Sequence, residues 1–292
     1  MRPKLLLPSY FRVIGFFLTA AGLTLWYLFI FQNREIPFLR YQNNVLYRGA
    51  GTYTDEVYIT SCVIGMILIG FSKLKHESEE TYSLRLNALY SSILIDFLFA
   101  PICLLAGILM DRSKEPVIGE LSIFCVNLFF YHPFILLLIF VTMYAYLVYW
   151  KKADGAVKTL HFLPNKPYNF IGKGVVVLFI LLVIASVLQL FKANTDMFTI
   201  AGIIVLPFFL LWLWSKEKID NESITSTRLK AMQIALYINY GLFLIGTWVS
   251  YSFNYIAVIF WGFISLPITF LLIFYLLLYR TSRIKQHNSL VG

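Results

Sequence analysis

The chain alternates long apolar runs with short polar segments. Eight runs stand out, at about residues 11–32, 56–72, 85–110, 122–150, 170–191, 197–214, 228–250 and 254–279. Each falls in or near the range of roughly 17–25 residues that a helix needs to cross hydrocarbon. The pattern predicts an all-α, polytopic membrane protein with eight transmembrane helices. Pro133 and Pro267 sit inside two of the runs and are expected to bend them. The first run follows Met1-Arg-Pro-Lys4 and ends in Trp26, Tyr27 and Phe31 without a small-residue cleavage site, so it reads as an uncleaved signal anchor.

One polar segment occurs twice. Phe71-Ser-Lys-Leu-Lys-His-Glu-Ser-Glu leads to Arg85-Leu-Asn-Ala88, and Trp214-Ser-Lys-Glu-Lys-Ile-Asp-Asn-Glu leads to Arg228-Leu-Lys-Ala231. Ser72, Lys73, Lys75, Glu79, Ser83, Arg85, Leu86 and Ala88 have identical counterparts at a constant offset of 143, and Asp96 meets Asn239 at the same offset. Upstream, Leu7-Pro8-Ser9 with Ile14-Gly15 parallels Leu163-Pro164-Asn165 with Ile171-Gly172. The expectation is a tandem duplication, residues 1–152 and 153–292, each half a four-span unit. Four is even, so the copies share one orientation, related by a pseudo-twofold axis along the membrane normal.

The duplicated hairpin with its Leu-Pro-Ser or Leu-Pro-Asn approach resembles an uncharacterised family of small multi-pass inner-membrane proteins from Bacteroides-like bacteria. That resemblance implies a bacterial inner-membrane location and no activity.

Composition supports the class. Only 13% of residues are charged, mean hydropathy is +0.75, and aromatics reach 18%, whereas soluble domains carry about 25% charged residues. The net charge of +9 does not mark a nucleic-acid binder, because the basic residues are spread over the loops. With the N-terminus inside, eighteen of the 24 Lys and Arg residues fall on inner segments, including Lys73, Lys75, Arg85, Lys151, Lys152, Lys216, Lys218, Arg228 and Arg280. The other six (Arg34, Arg40, Arg48, Arg112, Lys114 and Lys192) are outer. This positive-inside bias places both termini and both hairpins in the cytoplasm. Residues 33–55 and 111–116 form longer outer loops than their counterparts near 192–196 and 251–253. Cys62, Cys103 and Cys125 lie in apolar runs and read as small hydrophobes.

Candidate chemistry is sparse. At 100° per residue, Arg85, Leu89, Ser92, Asp96, Ala100, Cys103 and Gly107 share a face, and so do Arg228, Met232, Ala235, Asn239, Phe243, Gly246 and Ser250. Asp96 lies about 16 Å along the helix from Arg85, near mid-membrane, where a charge costs about 2.5 kcal/mol or more. Asp96, Asn239 and Ser92 are thus an expected intramembrane polar site, either binding a cation or proton or bonding neighbouring spans. His132 reads as bonded to a backbone carbonyl in preference to a ligand or proton carrier. Lys73, Lys75, Glu79, Arg85, Lys216, Lys218, Glu222 and Arg228 are expected either to be solvated hairpin residues or to dock a cytoplasmic partner. No His-Glu-x-x-His, Cys-x-x-Cys, phosphate loop or Gly-x-Ser-x-Gly motif occurs, so no enzyme, cofactor, metal or nucleic-acid role is expected. Two functions remain. One moves or senses a small solute or ion between the two four-helix units. The other is a scaffold or accessory subunit that docks a cytoplasmic partner.

Overall fold

The computed structural model describes residues 5–44, 47–75, 77–110, 116–150, 162–188, 195–218, 222–249 and 253–291. Nine α-helices occur among them: α1 (Phe11–Gln32), α2 (Thr54–Phe71), α3 (Glu79–Met110), α4 (Pro116–Phe130), α5 (His132–Tyr149), α6 (Phe170–Val187), α7 (Thr195–Trp214), α8 (Glu222–Val249) and α9 (Phe253–Val291). A short antiparallel ribbon, β1 (Arg40–Asn44) and β2 (Tyr47–Thr52), joins α1 to α2 where the sequence suggested a loop. Among the described residues the other regular elements are helical.

Seven helical segments among the described residues are long and apolar enough to cross a membrane: Phe11–Gln32, Thr54–Phe71, Glu79–Met110, His132–Tyr149, Asn165–Ser186, Ser223–Val249 and Val258–Thr281. The expected count was eight, and the run at 197–214, which lies in α7, is the one not among the seven. The run at 122–150, expected to be one bent span, is two helices. Tyr131 sits between them with φ −89° and ψ 4°, and its carbonyl accepts from both Phe134 N and Ile135 N. Pro133 then occupies the first turn of α5, where its missing N–H leaves no bond unmade. α4 is left as a shorter apolar helix.

Helix boundaries follow local chemistry. α1 stops at Asn33, whose left-handed backbone (φ 48°) lets its N–H reach Leu28 O. α3 begins at Glu79 because Ser78 Oγ accepts from Thr81 N at 3.1 Å, and Glu79 and Glu80 face the positive end of the helix dipole.

The chain divides into two compact units. The first holds residues 1–92, 130–157 and 235–266, and the second holds 93–129, 158–234 and 267–292. Each therefore draws on both halves of the sequence. α3, α8 and α9 contribute one part to each unit.

In the first unit, α1 packs against α2 almost backbone to backbone. A Cβ on Gly22 would lie 2.9 Å from Cys62 N, and one on Gly65 would lie 2.7 Å from Thr19 N. Small residues allow such an approach, which is how helices associate in lipid. The rest of α1 is largely bare, with Phe17 at 74% exposure, as a lipid-facing surface requires. Phe71 is fully buried between Phe140 (5.0 Å) and Tyr237 (4.7 Å), Tyr240 Oη donates to Pro133 O, and Trp248 Nε1 donates to Thr60 Oγ1 at 2.9 Å. In the second unit, a Cβ on Gly172 would meet Trp212 N at 2.7 Å, and Ser122 Oγ donates to Gly107 O at 2.8 Å. Phe270 and Phe274 stack with ring centres 5.7 Å apart.

Candidate functional site

The first hairpin is fastened from both sides. Leu7 forms a parallel bridge with Ser72: its N–H donates to Phe71 O at 3.0 Å, and its carbonyl accepts from Lys73 N at 2.9 Å. Pro8 follows directly, ending the extended stretch before α1 begins. On the other side Arg85, at 0% exposure, reaches back from α3. Its Nη2 donates to Ser72 O (2.9 Å), Glu77 Oε2 (3.1 Å) and Tyr144 Oη (2.6 Å), while Nη1 lies 3.1 Å from Glu77 Oε1. The Tyr144 ring also covers the guanidinium at 4.7 Å. Glu77 Oε2 caps the turn by accepting from Leu74 N at 2.7 Å. A buried arginine charge is tolerable only when paired and hydrogen-bonded, and Glu77, Ser72 O and Tyr144 supply those contacts.

The second hairpin repeats the fastening. Leu163 N donates to Trp214 O and Leu163 O accepts from Lys216 N, both at 2.9 Å. Phe71 and Trp214, and Lys73 and Lys216, are the pairs the 143-residue offset matches. Asn165 and Asn169 donate to Lys216 O at 2.7 and 3.2 Å. Arg228, 2% exposed, lies over the rings of Phe162 (4.5 Å) and Phe274 (5.4 Å). Beside this hairpin Lys173 Nζ pairs with Glu217 at 3.3 Å, and Tyr275 Oη donates to Glu217 at 2.9 Å.

Of the hairpin residues expected to meet solvent or a partner, Lys73, Lys75, Glu79, Lys216 and Lys218 are exposed. Arg85 and Arg228 are buried and act inside the protein. The Glu222 side chain, His76 and Asp220 lie outside the described residues, as do residues 111–115, expected to form an outer loop, and residues 151–161.

The face of α3 read from helical spacing is buried at every position from Arg85 through Leu89, Ser92, Asp96, Ala100 and Cys103 to Gly107. On α8, Arg228, Met232, Ala235, Asn239 and Phe243 are buried as well, and Ser250 lies outside the described residues. The polar side chains on these faces have different tasks. Ser92 Oγ donates to Ala88 O of its own helix at 2.6 Å. Asn239 Nδ2 donates to Gly262 O at 2.7 Å and to Ser265 Oγ at 3.2 Å, tying α8 to α9 within the first unit. Asp96, at 0% exposure, belongs to the second unit. His132 is buried with its ring edge-on to Phe263 at 4.9 Å.

Sequence reasoning passed over several contributors. Glu77 and Tyr144, which complete the Arg85 site, carried one usable signal: position 77 and its counterpart 220 are both acidic. Phe162 and Phe274 had none, since aromatics are everywhere in the chain. Asp55 and Glu56 stand side by side in the first turn of α2, with Glu56 buried.

No protein-family model matches the chain, and no curated protein and no solved structure matches it. Three or more His, Cys, Asp or Glu side chains grouped to hold a metal do not occur among the described residues.

Proposed function

We propose that this multi-pass membrane protein is a non-enzymatic scaffold or accessory subunit of the bacterial inner membrane. On this reading it arose by tandem duplication of a four-span unit, and its two hairpins dock an acidic segment of a cytoplasmic protein. The observation that carries the reading is the treatment of the hairpins. Each is held by the same two backbone bonds to a Leu-Pro segment, and in the first the buried Arg85 also grips Ser72 O, while Lys73, Lys75, Lys216 and Lys218 stay exposed. Ordering a loop costs roughly 1–2 kcal/mol per residue in backbone entropy. A merely solvated connection needs no such fastening. The intramembrane polar residues point the same way, because the Ser92 and Asn239 hydrogen bonds are those of packing groups.

A photo-crosslinking residue at Lys75 and at Lys218 tests this in intact cells, with Asn44 as the outer-loop control. Both hairpin positions should give the same protein adduct, lost when Lys73 and Lys216 are changed to Glu. Adducts no stronger than those at Asn44, or indifferent to charge reversal, would overturn docking.

A second reading, movement or sensing of a small solute or ion, is favoured by Asp96, a carboxyl with no exposed surface inside a span. Such residues are costly in lipid and usually serve function.

A further inference from the structure

Two exposed hydroxyls within the apolar helices satisfy themselves. Thr24 and Thr142 each donate to the carbonyl four residues back on their own helix, Ala20 O at 2.8 Å and Leu138 O at 2.7 Å. Asn127 on α4 does not. Its side chain is exposed and makes no hydrogen bond to any described residue. The opposite side of α4 is packed, since Ser122 bonds Gly107 O and a Cβ on Gly107 would meet Val126 at 2.6 Å. At 100° per residue Glu120, Phe124 and Asn127 lie within about 60° of one another, and all three are exposed. Asn127 stands eleven residues past Pro116, about 16 Å along α4, which is roughly half the depth of a hydrocarbon core. An amide there has no water to bond, and leaving its donors and acceptor unmade is costly.

We infer that this face of α4 packs against α4 of a second copy of the chain, the two Asn127 amides bonding each other. Two features choose that occupant. An amide carries both donors and an acceptor, so it is complementary to itself. A second copy in the same membrane presents its Asn127 at the same depth, and a twofold axis along the membrane normal brings the two together as one isologous contact. Interhelical bonds from asparagine associate helices in lipid. Glu120, four residues into α4, stays near the water boundary, where facing its own copy costs little. The contact does not depend on the hairpin lysines and holds whatever they dock.

The experiment uses the full-length protein in liposomes, with single cysteines in a background lacking the native three and copper phenanthroline as the oxidant. Phe124→Cys should give a disulfide-linked dimer. Phe17→Cys on α1, equally bare but on a helix whose exposed Thr24 is already bonded, should not. Dimer dissociation, followed by energy transfer between labelled copies as lipid is added, is the second readout. Asn127→Leu should raise the dissociation constant about tenfold, the scale of two interhelical bonds lost together. Asn127→Gln, which keeps the amide, should stay within about threefold of wild type. Because Asn127 is exposed, the leucine variant should melt like wild type in detergent, which separates lost association from lost folding. A monomer throughout, or a dimer indifferent to Asn127→Leu, overturns the inference. So does a cysteine at 124 that in cells links only to a different protein, since the face would then belong to another partner.

Discussion

Arg85 and Glu77 face each other in the first unit with their side chains 0% and 6% exposed, two guanidinium nitrogens each 3.1 Å from a carboxylate oxygen. Eight residues apart, they join the start of α3 to the turn that precedes it. Arg85 also grips Ser72 O just past the end of α2, where uncapped carbonyls carry partial negative charge. The pair therefore fixes the geometry of the hairpin.

Breaking that pair from one side should be expensive. Glu77→Gln leaves a buried guanidinium short of its counter-charge and is expected to cost about 3–5 kcal/mol. Glu217→Gln, which breaks a pair with Lys173 that is partly open to water, should cost about 1 kcal/mol or less. Denaturation of the two variants in detergent checks the contrast, and equal losses would refute it.

The α1–α2 contact makes a second prediction. Gly22→Val pushes a side chain into the α2 backbone and should destabilise by about 1–3 kcal/mol. Gly174→Ala, where nothing lies within 4 Å of an added Cβ, should be neutral or slightly stabilising in its helix. Melting temperatures of both variants measure this. A silent Gly22→Val would mean that the two helices do not pack so closely.

These features differed in how far the sequence revealed them. The start and end of α1 coincide with the apolar run at 11–32, because both ends of that run meet turn-forming residues. α3 and α8 begin six residues before their apolar runs do, at 79 and 222. For α3, Ser78 and the acidic first turn carry the helix into polar sequence, which hydropathy cannot register. The face of α3 from Arg85 to Gly107 was legible from helical spacing alone. That Arg85 is buried was not, since its neutralisation depends on Glu77 and on Tyr144, which is 59 residues away. The break at Tyr131 was missed because a proline within an apolar run fits either a bent helix or the first turn of a new one.

Asn239 and Asp96 separate packing from titration. Asn239→Leu removes two bonds to α9 and should cost roughly 0.6 kcal/mol, up to about 1.7. Under the scaffold reading, Asp96→Asn should leave both thermal stability and proton or cation flux in liposomes unchanged. Flux in the wild type that the Asn variant abolishes would favour the transport reading instead.

The most direct measurement concerns where the hairpins lie, because docking needs both on the cytoplasmic side. Single cysteines at Ser78, Ser223, Asn44 and Ser113, in a background lacking Cys62, Cys103 and Cys125, can be labelled with an impermeant thiol reagent. The account predicts that Asn44 and Ser113 react in intact cells, whereas Ser78 and Ser223 react only after the membrane is opened. Labelling of Ser78 and Ser223 from opposite sides would contradict the duplication, and labelling of both from outside would contradict cytoplasmic docking.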